Sequence, residues 1–93
     1  MNSHQVFNSL RTHLQNYVSN DLKVAIPSEF LSIDNETAIM FLRMKVKPVY
    51  NDKNIVQNHV QALEQLYPDI SSKINDEQRK KLFKFLEAML ELV

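Results

Sequence analysis

The chain is 93 residues long, 44% of them hydrophobic and 24% charged, and its eleven basic and eleven acidic side chains cancel to a formal net charge of zero. That size and composition specify one small globular domain over residues 1–93 and exclude an intrinsically disordered chain, which needs lower hydrophobicity and unbalanced charge. Glycine and cysteine are both absent, which excludes phosphate-cradling glycine loops, nucleophile elbows, disulfides, zinc–thiolate centres and thiol catalysis.

The opening Met-Asn-Ser-His-Gln has no basic stretch leading into an apolar run, and nowhere do eighteen apolar residues follow one another. The expected setting is therefore the cytosol, with no signal peptide and no membrane-spanning segment. From Ser3, a residue suited to an N-cap, Val6, Phe7, Leu10, Leu14, Tyr17 and Val18 project onto an arc of about 120°, and the remaining arc holds Gln5, Asn8, Ser9, Arg11, Thr12, Gln15 and Asn16. This predicts an amphipathic helix over about 4–19.

Residues 23–50 pit helix against strand. Projected at 100° per residue, Ala38, Ile39, Met40, Phe41, Leu42, Met44 and Val46 scatter around the cylinder, and Lys45 falls beside Ala38. Extended, positions 38, 40, 42, 44 and 46 are all apolar on one face, while Arg43, Lys45 and Lys47 share the other. With Asp34-Asn35-Glu36-Thr37 as a four-residue link that needs no glycine, the pattern predicts a β-hairpin, about 29–34 paired with 38–47. Lys23-Val24-Ala25-Ile26 before Pro27 would add a short strand. Nine asparagines, three of them within 51–58, point to an A/T-rich bacterial, phage or viral genome.

Pro48 ends the predicted strand and Asp52 caps a second helix over about 53–67, where Ile55, Val56, His59, Val60, Ala62, Leu63, Leu66 and Tyr67 cover about 160° before Pro68 stops it. Asn75 with Gln78 three residues later forms a capping box, and Asp76 and Glu77 place negative charge at the start of a last helix, about 76–92. There Leu82, Phe83, Phe85, Leu86, Met89, Leu90, Leu92 and Val93 cover about 180°, wider than one core contact requires.

Candidates for chemistry are few. His4 and His13 lie on opposite sides of their helix and cannot hold one ion, and His59 sits within an apolar arc as a core histidine would, so no metal or cofactor is expected. Asp34 and Glu36 belong to a proposed turn, no serine stands in a nucleophile motif, and no catalytic constellation is expected. Arg43, Lys45 and Lys47, with Arg79, Lys80, Lys81 and Lys84, make the case for nucleic acid. Against it, Glu77, Glu87 and Glu91 interleave with the last-helix lysines, strand lysines also discourage edge-to-edge aggregation, and residues 1–50 and 51–93 are each close to neutral.

The fold class predicted is helix-dominated α+β in the order helix, β-hairpin, helix, helix. The competing architecture is an all-α bundle of about five helices with residues 36–46 as a fully buried helix. The expected function is that of a small protein–protein interaction module, not an enzyme: an adaptor, inhibitor, immunity-type factor or secretion chaperone acting as a homodimer. Phe83, Phe85, Leu90 and Leu92 on the shoulders of the last helix are its expected partner-binding residues, since apolar surface beyond the core's needs calls for a covering partner. The alternative is a nucleic-acid-binding regulator using Arg43, Lys45 and Lys47.

Overall fold

The computed structural model describes residues 3–25, 28–50 and 56–93, without the side chains of residues 3, 56 and 57. The expected cap Asp52, Ile55, the Ile26-Pro27 end of the proposed short strand and the side chains of Ser3 and Val56 lie outside the described residues.

Helix α1 spans Ser3–Asn16 and continues as a π turn, Tyr17–Asp21. Phe7, Leu14 and Val18 are buried on one side, as the apolar arc requires. After a single 3-10 turn at Glu29–Leu31 come α2 (Asn35–Phe41), a second π turn (Leu42–Val46) and α3 (Lys47–Tyr50), which run on as one rod. Helices α4 (Val56–Leu66) and α5 (Asp76–Leu90) follow, joined through a 3-10 turn at Ile70–Lys73. Helix α1 packs against α5 and α2, and α4 packs against α3 and α5. Their buried faces meet in one apolar cluster centred on Phe7, Leu42, Leu63, Tyr67, Leu82 and Leu86.

The predicted β-hairpin is absent: the described residues contain no strand, and the architecture is all-α. Two local facts overturn it. Asp34, assigned to a hairpin turn, instead caps α2, its side chain accepting a hydrogen bond from the Thr37 N–H at 2.8 Å; the residues that favour a turn are also those that favour a helix start. The apolar set 38, 40, 42, 44, 46 then splits in two. Ala38, Leu42 and Val46 are buried together with Tyr50, whereas Met40 and Met44 stand 54% and 63% exposed. The period is four, not two.

A spacing of four overshoots an α-helical turn by about 40°, so a straight α-helix would carry these residues progressively off one face. The π turn corrects the drift, because its i→i+5 bonding puts more residues into each turn. It ends with the Lys47 N–H bonded to the Leu42 carbonyl, directly before Pro48. An α-helix at that point would set the proline ring against the carbonyl of Met44, and the wider turn relieves that clash. The all-α alternative thus has the helix right, although residues 36–46 are buried along one side only.

Among the described residues, two positions without glycine take the left-handed conformation: Lys23 (φ 55°), after the first π turn, and Asp69 (φ 62°), before the 3-10 turn. The capping box of α5 is present in both directions, Gln78 N–H to Asn75 Oδ1 and Asn75 N–H to Gln78 Oε1, each 2.9 Å.

Candidate functional site

Two polar features belong to the fold. Arg11, on the edge of the arc of α1, is only 6% exposed. Its guanidinium donates to the carbonyls of Phe30 and Ile33 and to Asn35 Oδ1, and it lies over the Phe7 and Phe30 rings at 5.8 and 5.1 Å. Burial lowers its pKa, partly offset by the nearby Asp34 carboxylate. Asp34 itself is held below the usual carboxylate range, first by hydrogen bonds from Thr37 and then by Arg11. A cavity of about 440 Å³ lies beside Arg11, and several of the polar groups around it are committed: Gln15 accepts from Tyr67 Oη at 2.9 Å, Thr12 donates to the Asn8 carbonyl and Asn35 accepts from Arg11. Arg11 clamps the 28–35 segment onto α1. Separately, His59 is stacked on Tyr50 (4.5 Å between centroids) and meets the edge of Phe83 (5.2 Å), with its Nε2 buried and without a hydrogen-bond partner. This imidazole fills a seam between α3, α4 and α5.

The wide arc of α5 is covered in part by the chain itself. Leu90 is buried, Phe83 packs on His59, Phe85 lies 5.9 Å from the Tyr17 ring, and Leu92 is half-buried against the core. The basic residues of α5 also have intramolecular partners in part. Arg79 pairs with Asp76 and donates to the Ser71 carbonyl, and the Lys81 ammonium sits 4.6 Å from the centre of the Tyr17 ring.

The rod over 35–50 differs. Met40, Arg43, Met44 and Lys47 follow one another at i, i+3, i+4 and i+7, the spacing of a single helical face, and all four are exposed. Lys47 Nζ donates to the backbone oxygen of Val93 at 3.2 Å, while among the described residues no carboxylate pairs with Arg43 or Lys45. The three cations lie toward the C-terminal end of the rod, where the helix dipole favours positive charge. Lys45 does not share the ridge; it follows Phe41 by four residues, on the flank next to a groove.

That groove, about 710 Å³, runs between α2 and the end of α4 and is walled by Phe30, Ile33, Phe41, Leu66 and Pro68, with Glu29 as the one charged lining residue among those described. Ser28 Oγ donates to the Leu66 carbonyl and ties its two walls together. Thr37 and Phe41 line it, and Met40 and Met44 stand three residues further along the helix from each. Ridge and groove are thus neighbouring surfaces of one rod.

Arg43, Lys45 and Lys47 are accordingly near one another but on two flanks, not in a single row. Sequence reasoning missed Met40 and Met44 because alternation assigned them to a buried strand face. The signal that finds them is the four-residue spacing from the Asp34 cap, which separates 38, 42 and 46 from 40 and 44. Among the described residues no group of three or more His, Asp or Glu is placed to hold a metal ion, and no helix is long and apolar enough to cross a membrane. No protein-family model matches the chain, and no curated protein or solved structure matches it either.

Proposed function

We propose that this chain is a small helical protein-binding module whose recognition surface is the methionine ridge of α2 and its π turn, together with the groove beside it. The observation that carries the proposal is the exposure of Met40 and Met44, the large hydrophobic side chains most exposed among the described residues. The fold does not require them there, since Ala38, Leu42 and Val46 already supply the rod's buried face. Methionine is flexible and polarisable and suits a surface that adapts to another protein's side chains. A ridge on which methionines alternate with cations also suits a protein partner better than nucleic acid, whose affinity comes from a continuous track of phosphate contacts. The half-buried Phe83, Phe85 and Leu92 already contact the chain's own rings and core and offer less free surface than the ridge.

Site-specific photo-crosslinking in host cells tests this. A photoreactive residue at position 44 is expected to give a discrete protein adduct that disappears in Met40→Glu, whereas the same residue at exposed position 80 on α5 gives none. Adducts of equal yield from both positions, or nucleic acid as the species captured at position 44, would overturn the proposal.

A further inference from the structure

We infer that the partner presents an amphipathic helical segment with acidic flanks, its apolar side on Met40 and Met44, a large side chain in the groove beside Phe41, and its carboxylates facing Arg43 on one flank and Lys45 on the other. The inference rests on the protein-binding reading and adds the chemistry of the partner. Charge complementarity carries it. Between Asn35 and Tyr50 the rod bears Arg43, Lys45 and Lys47 against a single carboxylate, Glu36, and Glu29, in the 3-10 turn before α2, lines the groove. The cationic end of the surface therefore attracts acidic groups, while Glu29 and Glu36 repel them from the other end, which sets the direction of the bound segment. A second copy of the same surface is a poorer occupant, because two net-positive faces would be brought together and like charges across an interface are costly. Exposed apolar groups at helical spacing beside a groove are the receptor side of helix-in-groove recognition.

The test uses the full chain with isotope-labelled methionine methyl groups and two designed helical peptides. Both carry leucine and phenylalanine at i, i+3, i+4 and i+7; one has glutamate on its flanks and the other lysine. Met89 is fully buried and reports that the fold is intact. The glutamate peptide is expected to shift the Met40 and Met44 signals but not that of Met89, and to bind at least about tenfold more tightly than the lysine peptide at low salt. That preference should collapse in the double variant Arg43→Glu, Lys45→Glu and shrink as salt screens the charges. Equal affinity for the two peptides, or a dimer lost in Met44→Glu, would overturn the acidic-partner inference and leave the protein-binding reading standing. If neither peptide moves the ridge signals at millimolar concentration the inference also fails, and crosslinking from position 44 then decides whether the broader reading falls with it.

Discussion

Lys23 and Asp69 hold left-handed backbone with a Cβ in place, in a chain with no glycine to relieve it. An L-residue pays about 1–2 kcal/mol for that conformation, and glycine gives back about 0.5–1 kcal/mol through its greater freedom when unfolded. Lys23→Gly is therefore expected to stabilise the protein by up to about 1 kcal/mol, seen as a higher urea midpoint with an unchanged slope. Asp69→Gly should gain less, because aspartate tolerates this conformation better than lysine. Arg11 presents the opposite case. Arg11→Lys keeps the charge but cannot reach the Phe30 and Ile33 carbonyls and Asn35 at once, and is expected to cost about 2 kcal/mol as buried acceptors lose their donor. Tyr67 sets the alkaline limit. Burial raises its phenol pKa well above the ordinary value, and the pKa values of Tyr17 and Tyr50 move the same way. Their contribution is complete below about pH 10, the ordinary phenol value, and is lost as pH rises toward the folded-state values. Tyr67→Phe should lose about 1 kcal/mol at neutral pH with the Gln15 hydrogen bond, yet decline less steeply than the parent above pH 10 in a thermal scan.

Along the rod, neighbouring residues differ sharply in what they support. Leu42→Ala opens a cavity in the core and is expected to cost about 2–5 kcal/mol, whereas Met40→Glu and Met44→Glu should each stay within about 0.5 kcal/mol of the parent in denaturant titration. If Met44→Glu proved as damaging as Leu42→Ala, the ridge would be part of the core. The other helices were legible in the sequence because each repeats close to the 3.6-residue period and several carry recognisable ends. Asn75 and Gln78 mark the start of α5 as expected, and Phe7, Leu14 and Val18 face inward on α1. The rod was not legible, for a physical reason. A fixed 100° step misplaces every residue beyond a π turn, and an unbroken run of apolar even positions imitates a strand. The candidate site was lost with it, since its two methionines belong to that run. Arg11 was misread on a smaller scale: it projects close to Val18, and a lone arginine at the edge of an arc looks solvated until the carbonyls it serves are in place.

The radius of gyration, 12.3 Å, is what a compact globule of this length has, about 12 Å. The most exposed large apolar side chains among the described residues lie on the rod, and the rod's π turn also bears on how the chain tolerates changes in length. Deleting one residue from a helix ordinarily rotates all that follows by about 100° and scrambles the core. At Lys45 the result differs: the buried positions 38, 42, 46 and 50 would become spaced by four, three and four, which a plain α-helix keeps on one side. The phase of Tyr50 survives the deletion; the relief given to Pro48 does not. The deletion alone should therefore cost about 3 kcal/mol, the price of proline in a regular helix, while the deletion combined with Pro48→Ala should fold with its core in register. Circular dichroism melts of the two variants would reveal a one-residue insertion that the proline has made indispensable.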